Sequence, residues 1–185
     1  MSQVKYRAMT VADYRQMPET GPRYQLVQGR FYMSPAPNRF HQQVVGNIFY
    51  ILKQYLHDNP IGEAYVSPFD VYLTENDAYQ PDVLYVSNAN KGILTDQGAE
   101  GAPDLAVEVL SQRTSFLDLG SKRDVYARTG VIELWIADPE TLTVAIYRLQ
   151  EDGDTPAATY DAQAEFSSAL LPGLIVRVAE VFKRL

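Results

Sequence analysis

The sequence predicts an α+β domain, and three observations carry the prediction. Apolar, strand-like runs recur at 24–33, 63–73, 81–86, 104–110 and 131–149. Two segments, 39–57 and roughly 114–129, have the character of helices. No internal repeat, low-complexity tract or linker divides the chain, so residues 1–185 are expected to form one domain.

Length and composition bound the possibilities. A chain of 185 residues suffices for one proper core and is short for two. Hydrophobic residues make up 46% and charged residues 21%, the balance of an ordinary globular protein. No apolar run approaches the roughly 20 residues needed to span a bilayer. The opening MSQVKYRAMTVADY lacks the apolar centre of a secretory signal. The absence of cysteine excludes disulfides and thiolate metal sites and suits a reducing compartment, so a cytoplasmic protein is expected. A net charge of -7 argues against a broad basic surface. Nucleic acid, if it is the substrate, must therefore meet a local basic strip.

In chain order, Thr10 caps a short helix through VADYRQM. Residues 24–33 form a hairpin, YQLV and RFYM about a Gln28-Gly29 turn. SPAPN breaks the chain. Val44, Val45, Ile48, Phe49, Leu52, Tyr55 and Leu56 then follow helical spacing to His57, and Asn59-Pro60 and Gly62 end that helix. Residues 63–73 are strand material interrupted by Pro68, and 81–86 is a further strand. Residues 87–103, rich in Gly, Asn and Asp, read as a surface excursion. DLAVEVL is apolar on both faces apart from its acids, which predicts a central strand. Thr114 or Ser115 caps the second helix and Gly130 ends it. VIELWIAD and TVAIYRL pair about Pro139-Glu140, and a last strand and short helical end close the chain.

Glu108 is the most informative residue. Leu105, Val107, Val109 and Leu110 bury the strand around it, where an isolated ionised carboxylate is strongly disfavoured. It must pair with a cation (Arg113, Arg123 or Lys122), accept hydrogen bonds, or bind a metal. Asp82, at the mouth of the 81–86 strand, reads either as a solvated strand-entry residue or as a second carboxylate within reach of Glu108. Asp104 shares a strand face with Glu108 but lies on the order of 13 Å along it, too far to share a metal. Lys122 forms a surface ion pair with Asp118 or contributes an ammonium to the carboxylates. Arg113, Arg123 and Arg128 make a locally basic strip, either a solvated helix face or a seat for phosphates. Two carboxylates and a lysine on neighbouring elements are the minimum equipment for metal-assisted phosphodiester hydrolysis. Tyr126 and Trp135 read as core aromatics. With two histidines, His41 and His57, and no Ser/His/Asp pattern, no activated nucleophile is indicated.

The ordered set PDVLYV, PDLAVEVLS, Thr114, Asp118, Lys122, Tyr126 and GVIELWIADP resembles the Uma-type restriction endonuclease family of bacteria, within the PD-(D/E)XK nuclease superfamily. DYRQMPETGPRYQLVQGR and SPAPNRFHQQVVGNIFYILKQYL extend the likeness to roughly residues 10–150. The resemblance implies a restriction-endonuclease-like mixed β-sheet core flanked by helices. It implies a Mg²⁺-dependent endodeoxyribonuclease (with Mn²⁺ as the alternative ion) acting on DNA, with homodimers as the family habit. Carried over residue by residue, Asp82 and Glu108 are the metal-binding carboxylates, and Lys122 stands for the lysine that the superfamily places two residues after the glutamate, where this chain has Leu110; because Mg²⁺ takes oxygen ligands, the Val109 carbonyl is expected to supply a further one. His41 matches a frequent family histidine, expected to cap or support the site. Gln25 and Arg30 depart from the acids common at those positions. They keep open an alternative, a catalytically degenerate module that binds nucleic acid or protein.

Overall fold

A computed structural model describes residues 7–18, 20, 23–34, 36–111 and 120–184. The predicted start of the second helix, with Thr114, Ser115 and Asp118, and Arg113 before it, lies outside them.

Helix α1 (Val11–Tyr14) opens on a capping box, Thr10 accepting from the Asp13 N–H while Asp13 reaches back to the Thr10 N–H. Strands β1 (Arg23–Val27) and β2 (Arg30–Ser34) form the expected hairpin. Its turn needs positive φ at both Gln28 (48°) and Gly29 (74°), and a Cβ at Gly29 would meet Ala8 Cβ at 2.8 Å. The long helix α2 (Arg39–Asp58) is capped by Asn38, and its Val44, Val45, Ile48, Leu52 and Leu56 stripe is buried. Next come β3 (Gly62–Val66), β4 (Val71–Thr74), β5 (Asp77–Tyr79) and β6 (Val83–Ser87). Two short strands follow, β7 (Leu94–Thr95) and β8 (Gly98–Ala99), then β9 (Leu105–Val109). Helix α3 (Ser121–Thr129), ended by left-handed Gly130, leads to β10 (Glu133–Asp138) and β11 (Thr143–Arg148). The described chain finishes with β12 (Ala158–Tyr160), β13 (Glu165–Ser167), β14 (Ile175–Arg177) and α4 (Val178–Val181).

One mixed sheet, ordered β12-β11-β10-β9-β6-β3, forms the centre. β9 runs antiparallel to β6 and parallel to β10, so α3 belongs to the crossover between two parallel neighbours. A second sheet, β2-β1-β5-β4-β8-β7, covers one face. The residues 87–103 are therefore more than an excursion: β8 pairs with β4, and Asp104 closes the segment by accepting from the Ser87 N–H and Asn90 Nδ2.

Strand alternation sorts the core. Leu105, Val107 and Val109 of β9, with Trp135 and Ala137 of β10, pack under α2. Ala106, Leu134 and Ile136 face the other way, against Tyr79, Val125 and Tyr126. Glu108, an even-numbered residue of a strand buried along its whole length, therefore points into the layer that holds α3.

Candidate active site

The antiparallel register of β6 and β9 pairs Val83 with Val107 and Leu84 with Ala106. Continued one step past the paired residues, this register sets Asp82 across from Glu108, on the neighbouring strand. Asp82 Oδ2 accepts a 2.8 Å hydrogen bond from the Val109 N–H, so the residue after Glu108 is held by Asp82 itself. It is a partly buried anchor at the strand mouth, not a freely solvated entry residue, its side chain being 19% exposed.

Glu108 is 3% exposed and Lys122 is 2% exposed. Lys122 Nζ donates to Glu108 Oε1 at 2.8 Å, and the Tyr126 hydroxyl donates to the same oxygen at 2.8 Å. Lys122, Val125 and Tyr126 form the buried face of α3, at the i, i+3 and i+4 positions that share one side of a helix. Of the two readings of Lys122, a surface lysine fails, and the side chain points inward because this is the face that α3 packs on the sheet. The cation partner left open among Arg113, Arg123 and Lys122 includes Lys122. Tyr126, read as a core aromatic, is core in its ring and polar in function at its tip. Its position one turn after Lys122 was the available signal. Tyr79 packs edge-on against it, centroids 5.4 Å apart, and donates its own hydroxyl to buried Asp77. Burial, then the Asp77 charge, push the Tyr79 phenol far above its ordinary range.

On the other side of β9, His41 in the first turn of α2 sets Nε2 2.9 Å from the Val109 carbonyl and 3.4 Å from Asp82 Oδ2. Burial alone pushes the imidazolium down, but the hydrogen bond and charge of Asp82 outweigh it, and the ring is raised above its ordinary value of 6.5. Its Nδ1 is buried with no hydrogen-bond partner among the described residues. The carbonyl expected as a metal ligand thus already accepts a hydrogen bond, although an oxygen with two lone pairs has room for a second contact.

The other buried acids have different work. Asp104 ties down residues 87–90, Glu133 accepts from Trp135 Nε1 and Ser168 Oγ, and Asp77 accepts from the Gln28 N–H, Thr74, Tyr79 and Arg128. Gln25 sits away from this centre in its bonding: its carbonyl accepts from the Gln80 N–H and its amide donates to Ser34. Arg30 is exposed at the start of β2. Of the basic strip, Arg113 lies outside the described residues and the two arginines on α3 are engaged by acidic residues. Arg123 reaches the Asp154 carbonyl and lies 3.6 Å from the Asp124 and Asp154 carboxylates, while Arg128 pairs with Asp77 at 3.0 Å.

Among the described residues, no three His, Asp or Glu cluster into a metal cage. The donor set is nonetheless suited to a hard cation that keeps several waters: two carboxylates, Asp82 and Glu108, and the Val109 carbonyl, all oxygen.

Two comparisons define the class. A solved chain from Anabaena variabilis, titled a "putative nuclease belonging to DUF820", superposes with a TM-score of 0.78 at 18% identity, covering 94% of this chain and 97% of that one. The fold is therefore restriction-endonuclease-like. Residues 11–179 match the profile of Uma2, described as "Putative restriction endonuclease", and the chain belongs to that family. No curated protein matches it.

Proposed function

We propose that this protein is a Mg²⁺-dependent endodeoxyribonuclease whose site is Asp82, Glu108, Lys122 and the Val109 carbonyl. The observation that carries the reading is the buried convergence of Lys122 on Glu108, one strand from Asp82. A lysine supplied by a helix reaches the glutamate as effectively as one supplied by the strand, because only the position of the ammonium matters to the chemistry. Mn²⁺ would serve in place of Mg²⁺, and the protein would act in the cytoplasm as a homodimer, two strands needing two cuts.

When bound, the metal supplies Lewis acidity to the phosphate and acidifies an attacking water. Asp82 and Glu108 provide the negative charge that retains the cation. Lys122 orients the water and offsets negative charge developing on the phosphate oxygens. Tyr126 fixes Glu108 by holding the same oxygen as Lys122 does, and His41 fixes the peptide that follows Glu108.

One observation favours a second reading. Gln25, standing where the family commonly has an acid, has its carbonyl engaged by the Gln80 N–H, which suits a nuclease fold that binds without cutting. Titration calorimetry of Mg²⁺ and Mn²⁺, beside plasmid cleavage, separates the two. The nuclease reading expects metal-dependent nicking in the wild type, with both binding and nicking lost in Asp82→Ala/Glu108→Ala. Metal binding that ignores these carboxylates would sink it.

A further inference from the structure

In a chain of net charge -7, the cations left without a carboxylate are the informative ones. Arg123 and Arg128 on α3 are engaged by Asp124, Asp154 and Asp77, and elsewhere on the surface pairs such as Arg15–Glu100 and Lys91–Glu63 engage others. Arg39 and Arg184 are different. Both are exposed, and neither has a carboxylate at ion-pair distance among the described residues.

Arg184 reaches back to the first turn of α2, where Arg39 stands. The Arg184 guanidinium lies over the Phe40 ring, 4.0 Å from its centroid, and Phe40 is the chain neighbour of Arg39. The geometry is held from beneath. Phe40 packs on the core under α2, Phe182 is buried in the same core, and Asn47 Nδ2 donates to the carbonyls of Val181 (3.0 Å) and Lys183 (2.9 Å). An arginine stacked on an aromatic ring keeps its fork of N–H donors free at the ring's rim, the form in which guanidinium groups receive phosphate. The next residue along α2 is His41, which contacts Asp82 and Val109. Arg39 and the Phe40–Arg184 stack therefore belong to the same end of α2 that brings His41 to the candidate site, with their side chains turned to other faces of the helix.

We infer that Arg39 and Arg184 form a contact surface for the phosphate backbone of DNA, holding the strand beside the phosphate addressed by Asp82 and Glu108. The inference rests on the nuclease reading and supplies what that reading lacks, a basic seat on an acidic protein. The surface lies on the first turn of α2 and the segment after α4, whereas Arg123 and Arg128 on α3 are engaged by carboxylates. The remaining described cations without a carboxylate at ion-pair distance are elsewhere: Arg23 and Arg30 at the ends of the hairpin strands, and Lys53 in the far half of α2.

The test measures anisotropy of a labelled DNA duplex in EDTA, between about 50 and 200 mM salt, where backbone contacts set the salt slope. The proteins are wild type, Arg39→Gln/Arg184→Gln, Arg39→Lys/Arg184→Lys, and Lys53→Gln. The glutamine pair is expected to bind about 10-fold more weakly at low salt. Its log–log salt slope should shrink by about 2, one for each phosphate contact removed. The lysine pair should keep the slope, and Lys53→Gln should match the wild type. A glutamine pair with wild-type affinity and slope, in a protein that still nicks plasmid, overturns this surface and leaves the nuclease standing. A wild type that neither binds DNA at any salt nor cleaves it removes the nuclease reading, and this surface with it.

Discussion

Lys122 Nζ lies 2.8 Å from Glu108 Oε1, with the two side chains only 3% and 4% exposed. Removing one partner of such a pair leaves an uncompensated buried charge, at a cost of about 3–5 kcal/mol. Lys122→Met is therefore expected to melt well below the wild type in EDTA. A divalent cation can return the missing positive charge beside Glu108, so saturating Mg²⁺ should raise the melting temperature more in Lys122→Met than in the wild type. Cleavage should fall by orders of magnitude while metal binding persists. Equal Mg²⁺ shifts in the two proteins would separate Glu108 from the metal, and normal cleavage by Lys122→Ala would remove Lys122 from the mechanism.

Tyr126 and Tyr79 offer a matched pair of buried hydroxyls. Each donates to a carboxylate, Tyr126 to Glu108 and Tyr79 to Asp77. Loss of a hydrogen bond to a charged group costs about 1.5–3 kcal/mol, so both Tyr→Phe variants should be less stable. Only Tyr126→Phe should also weaken Mg²⁺, by about 10-fold, the usual scale for a group that orients a ligand. Calorimetry beside thermal melts makes the distinction. Equal metal affinity in the two variants would reduce Tyr126 to a core residue.

Much of this architecture was legible because local rules and burial agree in it. The α2 stripe, the Gln28-Gly29 hairpin, the central DLAVEVL strand and the β10–β11 pair each carry a periodicity or turn signal that packing reinforces. Glu108 drew attention for a different reason, since an acid in an apolar strand demands an explanation, whereas Asp82 stands at a strand mouth and was singled out by the family resemblance. The orientation of Lys122 was not legible, because a lone Asp-x-x-x-Lys spacing looks the same on a solvated face as on a buried one. Only the face that α3 turns to the sheet decides it. The Phe40–Arg184 stack was illegible as well, since residues so far apart in sequence meet through the return of the chain after β14.

Asp82→Asn separates charge from geometry. The amide oxygen of asparagine can still accept from the Val109 N–H, now held at 2.8 Å, so the strand mouth should keep its shape. Stability should fall by about 1 kcal/mol, as a charged acceptor becomes a neutral one. Metal binding and cleavage should be lost. An Asp82→Asn protein that titrates Mg²⁺ like the wild type would mean that Asp82 only staples β6 to β9.

Gln25→Glu tests whether the family's missing acid matters to this chain. The substitution is sterically matched, and a carboxylate can go on accepting from the Gln80 N–H while Ser34 turns its hydroxyl to donate. Stability should change by no more than about 1 kcal/mol. Because the oxygen at this position is already committed to Gln80, the Mg²⁺ affinity is expected to change by less than about 3-fold, a shift below 1 kcal/mol. Cleavage by the wild type together with an unchanged affinity in Gln25→Glu would establish that Asp82 and Glu108 suffice as the acids. A large gain in affinity, with cleavage appearing only in Gln25→Glu, would instead show that glutamine at this position disables the nuclease by withholding a ligand.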